Sequence, residues 1–394
     1  MTAFESAKEM GYVALVEKIN AVSLMEYGLC PELFMDRVFR ANENPEKPFV
    51  YAGLNNADVD LALLELLSKD PEKIFDGIDI AGMLTDAGAK FLYLPVNCTA
   101  LADELRNKAG AHGIILVNDI INVRETEKDL ILHIVTACDL ADLALGTYEA
   151  GVYVKTGEEP LKKVPADTPV SDLVSLDGAK AVYLGYRLYT PEEAKALTAK
   201  DASSALIRVL TEKDCIVDET ARRLLLDRTA SCGKCVFCRE GLIQLEYMQK
   251  EITQGRGKAE YIDLTQEIGS VMGDSTLCTV GQVSADIPLD AIAKFRGEYD
   301  SHIKKNQCPA GVCTSFVHIY IDPQTCTGCG DCLDVCPADC IEGKPKFIHM
   351  IDEFDCTKCG KCIEACEEGA VQQTSGKLPK LPDRLTKVGK FKKH

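Results

Sequence analysis

Cys326-Thr-Gly-Cys329-Gly-Asp-Cys332-Leu-Asp-Val-Cys336-Pro337 is followed by Cys356-Thr-Lys-Cys359-Gly-Lys-Cys362-Ile-Glu-Ala-Cys366. Each run spaces its cysteines by two, two and three residues, and the first ends in proline. Three thiolates at such gaps wrap three corners of an iron–sulfur cubane, and the fourth is free to serve a neighbouring cubane. The two runs therefore predict two [4Fe–4S] clusters, whose chemistry is the uptake and release of single electrons.

The rest of the composition agrees. Nineteen cysteines in 394 residues could form a disulfide scaffold, but most stand in C-x-x-C runs within a long chain, which favours cluster ligation. No apolar run reaches the about 18 residues of a membrane span. The N-terminal Met1-Thr-Ala-Phe-Glu-Ser-Ala-Lys-Glu-Met10 lacks the layout of a secretory signal, so cytoplasmic residence is expected. A formal charge of −17 argues against nucleic acid as a partner. From Lys377 to His394, six lysines and one arginine face one aspartate. That segment reads either as a solvated tail or as an arm for an acidic partner.

A third set lies upstream. Cys232-Gly-Lys-Cys235-Val-Phe-Cys238 is followed forty residues on by Cys278. Three cysteines plus one remote thiolate suit another cubane. A four-cysteine zinc site is the alternative, but zinc ribbons pair C-x2-C with C-x2-C. Cys308 and Cys313 belong to no run, and with His349, ahead of His302, they are candidate zinc ligands. His318 is a further candidate whose strand-like surroundings suit a sheet. Cys340 reads as a spare thiol. Cys30, Cys98, Cys138 and Cys215 read as small buried hydrophobes, and His112 and His133 as structural.

The patterning suggests an α+β multidomain chain. Residues 1–147 alternate helices and strands as an α/β core. Residues 148–202 form a compact β-rich module, 203–304 a proline-poor helix bundle, 305–375 the paired-cluster region and 376–394 a basic tail.

Ser231-Cys-Gly-Lys-Cys-Val-Phe-Cys-Arg-Glu-Gly241, Ser275-Thr-Leu-Cys278 and Phe295-Arg-Gly-Glu-Tyr-Asp-Ser-His302 resemble the helix bundle of the NADH-binding, 51 kDa-like flavoprotein subunit of complex I. They are more similar still to the related subunit of soluble multimeric hydrogenases and formate dehydrogenases, in which Cys-Pro-Ala-Gly-Val-Cys (here Cys308 to Cys313) leads into a bacterial-type two-cluster ferredoxin domain. The resemblance is strong over about 205–370 and weaker over 49–200. It implies a flavoprotein-like core around Asn55-Asn-Ala-Asp58 and a β-grasp-like module over 148–190. It also implies partners among the iron–sulfur and flavoprotein subunits of a redox complex, of hydrogenase or formate dehydrogenase type, with soluble ferredoxin a candidate.

The chain departs from that family where FMN would sit. Residues 1–52 hold only Gly11 and Gly28, so no glycine-rich phosphate loop is present. The acidic, glycine-containing stretch after Asp58 is replaced by Val59-Asp-Leu-Ala62. The second glycine-rich segment reads Ile134-Val-Thr-Ala-Cys-Asp-Leu-Ala-Asp-Leu-Ala144. The core is therefore expected to be degenerate, without FMN or NAD(P)H.

By the crossing rule of two-cluster ferredoxins, one cluster takes Cys326, Cys329, Cys332 and Cys366, and the other Cys336, Cys356, Cys359 and Cys362. With Cys232, Cys235, Cys238 and Cys278 this makes three [4Fe–4S] clusters and about twelve iron atoms. Eleven acids against four lysines between 320 and 375 would lower cluster potentials. The expectation is a non-catalytic electron-transfer subunit. The alternatives are an FMN-dependent NAD(P)H:acceptor oxidoreductase subunit with an atypical flavin site, and a scaffold whose clusters only hold the fold.

Overall fold

A computed structural model describes residues 1–29, 31–123, 126, 128–375 and 377–392. Cys30 lies outside them. Contacts divide the chain into two units. One comprises 1–211, 222–246 and 264–294, the other 212–221, 247–263 and 295–394. The expected bundle over 203–304 is thus not a body of its own, because its segments pack into one unit or the other.

In the first unit, strands β1 (Phe49–Gly53), β2 (Ala89–Leu94), β3 (Ile114–Asn118) and β4 (Leu130–His133) form an all-parallel sheet in the order β3-β2-β1-β4. The parallel connections run through the helix Pro71–Leu84 between β1 and β2 and the helix Thr99–Ala111 between β2 and β3, and the helix Ile134–Leu145 follows β4. Pro71–Leu84 and Ile134–Leu145 cross so closely that a Cβ on Gly77 would lie 1.9 Å from the Ala137 carbonyl oxygen. Ten of the twelve residues of Ile134–Leu145 are buried, so this helix forms the centre of the core, with its Asp139 paired to Lys163 and its Asp142 to Lys73.

The module that follows has strands β5 (Val152–Thr156), β6 (Lys162–Val164), β7 (Ala181–Leu184), β8 (Arg187–Tyr189) and β9 (Leu206–Leu210) in the order β6-β5-β9-β7-β8. β9 pairs in parallel with β5 and antiparallel with β7. The module therefore runs to Leu210, not to residue 202. Leu206-Ile-Arg-Val-Leu210 lies within the stretch whose sequence pattern reads as helical. Its β-branched residues and half-buried alternation belong to a central strand.

In the second unit, β10 (His318–Ile321) pairs with β13 (Val371–Thr374), and β11 (Ile341–Glu342) with β12 (Met350–Ile351). His318 is a strand residue, as its context suggests, and it pairs with Glu353. The described part of the basic tail keeps its lysines and Arg384 exposed but is tied to the neighbouring segment at a few points. The Thr386 carbonyl accepts from the Ile348 N–H at 2.8 Å, the Val388 N–H donates to the Lys346 carbonyl at 3.1 Å, and Phe391 packs against the apolar core of this region. Among the described residues no helix is long and apolar enough to cross a membrane.

Candidate iron–sulfur and metal sites

Between β10 and β13 the chain makes two similar half-turns. Gly330 and Gly360, both at positive φ (113° and 77°), start the short helices Asp331–Asp334 and Lys361–Glu364. At Gly328, φ is 74° and a Cβ would meet the Phe347 carbonyl oxygen at 2.7 Å, so only glycine fits. These turns fold each C-x2-C-x2-C run around a cavity. One cavity is lined by Cys326, Cys329, Cys332 and Cys366, the other by Cys336, Cys356, Cys359 and Cys362. The fourth cysteine of each run lines the other run's cavity, as the crossing rule requires. Cys326, Cys332 and Cys362 are buried, whereas Cys329 and Cys359 are exposed.

Each cavity carries one extra group. His349, 2% exposed, lies with Nδ1 3.3 Å from Cys332 Sγ in the first. Cys340 lies with Sγ 3.5 Å from Cys336 Sγ in the second. His349 is therefore not with Cys308 and Cys313. Lying between the two runs in sequence, it turns inward to the first run. Burial pushes the Cys340 thiol up to about 12, which suits the spare thiol its sequence position suggests.

In the first unit, Cys232 is exposed, Cys235 and Cys278 are half-buried and Cys238 is buried. Burial pushes Cys238 up to about 11, and the charges of Cys278, Cys235 and Cys232 push the same way. Burial also raises Cys278, while the N–H groups of Val280 and Gly281, at the start of the helix Thr279–Val283, favour its thiolate. Ser231 Oγ lies 3.4 Å from Cys238 Sγ and accepts from the Gly233 N–H at 3.2 Å.

The tightest group in the second unit is Cys215, His302, Cys308 and Cys313, all buried, with ligand atoms within 4.8 Å of one another. His302 Nε2 is 3.4 Å from Cys215 Sγ and 3.5 Å from Cys313 Sγ, and the latter two sulfurs are 3.6 Å apart. A tetrahedral zinc with Zn–S of about 2.3 Å needs sulfurs about 3.8 Å apart. His302 Nδ1 bonds the Glu298 carbonyl at 2.8 Å, which fixes its proton there and leaves Nε2 a lone pair. Three thiols and one imidazole of this kind fit a closed zinc site. Cys215, which in sequence reads as a small hydrophobe, is thus one of the four. It stands 87 residues from His302, and its only sequence signal is its place just before the helix Ile216–Ala230. Cys138 is a buried core residue, and Cys98 is half-buried beside the core.

The other compact group, Asp76, Asp79 and His112, is already satisfied. Lys90 pairs with Asp79, His112 reaches Asp79 at 2.6 Å and Glu72 at 3.0 Å, and Asp76 accepts from the Ala3 N–H at 2.7 Å. Both histidines expected to be structural, His112 and His133, have such partners.

At the C-terminal edge of the parallel sheet are two cavities of about 280 and 190 Å³, below the about 300–1,000 Å³ usual for ligand pockets. Asn55, Asn56 and Asp58 line the larger with Leu54, Pro95, Val96 and Ile120, and no lysine or arginine is among its lining residues. Asp58 and Asn56 are engaged by the fold, whereas the Asn55 side-chain Nδ2 is buried with no hydrogen-bond partner among the described residues. Asp58 accepts from Tyr186 and from the Asn55 N–H (3.1 Å) and meets His133 Nε2 at 3.2 Å, while Asn56 donates to the Ile121 carbonyl at 2.9 Å. Where the second glycine-rich turn would stand, His133 caps the helix Ile134–Leu145 by accepting the Val135 N–H at 3.1 Å. A phosphate dianion would meet carboxylates without a lysine or arginine in the larger cavity, whereas Arg37 lines the smaller one.

Residues 220–302 match the NADH-ubiquinone oxidoreductase-F iron–sulfur binding region, and 318–367 the 4Fe–4S dicluster domain. The NADP-reducing hydrogenase subunit HndC of Solidesulfovibrio fructosivorans is 38% identical over 143 residues, 36% of this chain and 29% of the relative. The mitochondrial NADH-ubiquinone oxidoreductase 51 kDa subunit of Neurospora crassa is 31% identical over 110 residues, 27% of this chain and 22% of the relative. The chain thus spans under a third of these curated relatives. A crystal structure of an NAD+-reducing [NiFe]-hydrogenase in the H2-reduced state superposes with a TM-score of 0.63 at 16% identity, over 76% of this chain and 64% of that one. At that identity the match speaks for the fold alone.

Proposed function

We propose that this chain, a relative of the 51 kDa-like NADH-binding subunits of hydrogenases and complex I, is an electron-transfer subunit of a multisubunit oxidoreductase, of hydrogenase or formate dehydrogenase type. The observation that carries this is the pair of four-cysteine cavities, each closed by the fourth cysteine of the other run. Bound [4Fe–4S] clusters supply one-electron uptake and release.

The chain's own residues then have distinct tasks. Cys326, Cys329, Cys332 and Cys366 would hold one cluster, Cys336, Cys356, Cys359 and Cys362 a second, and Cys232, Cys235, Cys238 and Cys278 a third. Ile321, Ala370 and Val371 keep water from the first cavity, and Ile319, Ile341 and Ile351 from the second. The exposed Cys329 and Cys359 give each centre a face toward a partner. Cys215, His302, Cys308 and Cys313 would hold zinc as a structural pin. The parallel-sheet core serves as a platform without FMN or NAD(P)H, Asn56, Asp58 and His133 being bonded within the fold.

The test is anaerobic purification of the full chain, with iron, sulfide and acid-released flavin measured together. About twelve iron atoms with negligible flavin is the expected result. Stoichiometric FMN would instead assign the chain to NAD(P)H:acceptor chemistry. A colourless, iron-poor protein would remove the proposal altogether.

A further inference from the structure

His349 is a buried histidine that the cluster ligand sets do not use. Its ring lines the cavity of Cys326, Cys329, Cys332 and Cys366. Nδ1 lies 3.3 Å from Cys332 Sγ, and Nε2 is buried with no hydrogen-bond partner among the described residues. Gly343 makes room for it, since a Cβ there would lie 1.7 Å from the His349 ring carbon Cδ2. A side chain held this tightly, with one nitrogen aimed at a sulfur, is a built contact.

The proton's place follows from chemistry. A cysteine that ligates iron is a thiolate and has no proton to give. The contact with Cys332 therefore needs its hydrogen on Nδ1, and the partnerless Nε2 is the bare nitrogen. The second cavity has a different neighbouring donor, Cys340, whose sulfur faces Cys336 at 3.5 Å. A thiol is a much weaker donor than an imidazole N–H.

We propose that His349 is a positioning residue that donates its Nδ1–H to the Cys332 thiolate and raises the reduction potential of that cluster above that of its neighbour. A donor aimed at a ligand sulfur stabilises the reduced cluster, which carries one more negative charge. The chain's two ferredoxin-type centres are therefore inequivalent, and an added electron rests preferentially on the His349 side. This rests on the proposed cluster assignment.

The experiment is EPR-monitored redox titration of the anaerobically purified full chain, comparing wild type, His349→Leu, His349→Gln and Cys340→Ala, with iron measured in each. In His349→Leu one ferredoxin-type signal is expected to move to more negative potential. His349→Gln should recover part of the shift through its amide N–H, and Cys340→Ala should move the other signal by less. An unshifted signal in a fully iron-loaded His349→Leu protein overturns the inference, and so does a positive shift. Should the leucine variant fail to load iron, wild type labelled with 15N-histidine decides. A nitrogen hyperfine coupling to a reduced cluster that disappears in His349→Gln supports the bond, and its absence from wild type overturns it. Absence of any cluster signal in wild type would instead remove the cluster assignment itself.

Discussion

The Nδ1 of His302 lies 2.8 Å from the backbone oxygen of Glu298, one helical turn earlier, and this bond turns the other ring nitrogen toward three cysteine sulfurs. A carbonyl oxygen only accepts, so the proton is on Nδ1 and Nε2 is ready to ligate. The ligand set thereby comes from three stretches: Cys215 before its helix, His302 within the helix Arg296–Lys305, and Cys308 and Cys313 in the loop after it.

Zinc is expected at about one ion per chain. Cys215→Ser should weaken zinc binding by more than the about 10–100-fold that an outer-shell change costs, and should lower Tm. His349→Leu should leave zinc unchanged. Elemental analysis of the two variants checks both; zinc retained in Cys215→Ser would count against the site.

Cys278, forty residues after Cys238, is the proposed fourth ligand of the upstream set. Cys278→Ala should remove about four of about twelve irons, leaving the ferredoxin-type signals in place. Iron content with EPR of the dithionite-reduced protein measures this. Loss of all iron would mean that the three centres do not assemble independently.

Arg223 is buried between Asp60 and Asp227, with Nε 3.2 Å from Asp227 Oδ1 and Nη2 donating to the Ala57 carbonyl at 3.3 Å. Removing it strands a buried carboxylate. Arg223→Ala should cost about 3–5 kcal/mol, and Arg223→Leu no less, because the lost partner outweighs the added apolar volume. Denaturant unfolding of the anaerobic protein reads the difference.

Glu26 is buried, with Oε1 accepting the His133 N–H at 2.6 Å, and burial raises its carboxyl from 4.5 to about 7 against the pull of Arg37. A carboxyl that binds its proton more tightly when folded contributes stability below pH 4.5 and loses it as pH rises through about 7. The whole effect is about 3 kcal/mol, of which about 1 kcal/mol falls between pH 6 and 8. Glu26→Gln should flatten that part of the Tm–pH profile, and an unchanged slope would mean that Glu26 does not titrate there.

What is legible in the sequence is what local geometry imposes. Three cysteines at two-residue gaps must converge whatever surrounds them, so both ferredoxin cavities can be read from spacing, crossed ligands included. The parallel sheet is legible because its strands are short apolar runs bounded by turns. Cys215 is hidden because its partners lie 87 or more residues away and no pattern joins them. His349 invites the wrong partners because its position between the two runs says nothing of which way its side chain turns. The tail's exposed charges follow its composition, but composition does not report that the Val388 N–H and the Thr386 carbonyl engage the neighbouring segment through backbone groups. β9 is concealed by the long helices that follow it.

The β9 strand has a consequence for how the chain can be cut. It is the last strand of its module to leave the ribosome, yet it lies at the middle of the sheet, between β5 and β7. Until Leu210 has emerged, those two strands expose raw hydrogen-bonding edges to any other nascent chain. A fragment ending at residue 202 should therefore aggregate, whereas one that includes Leu210 should close its own sheet.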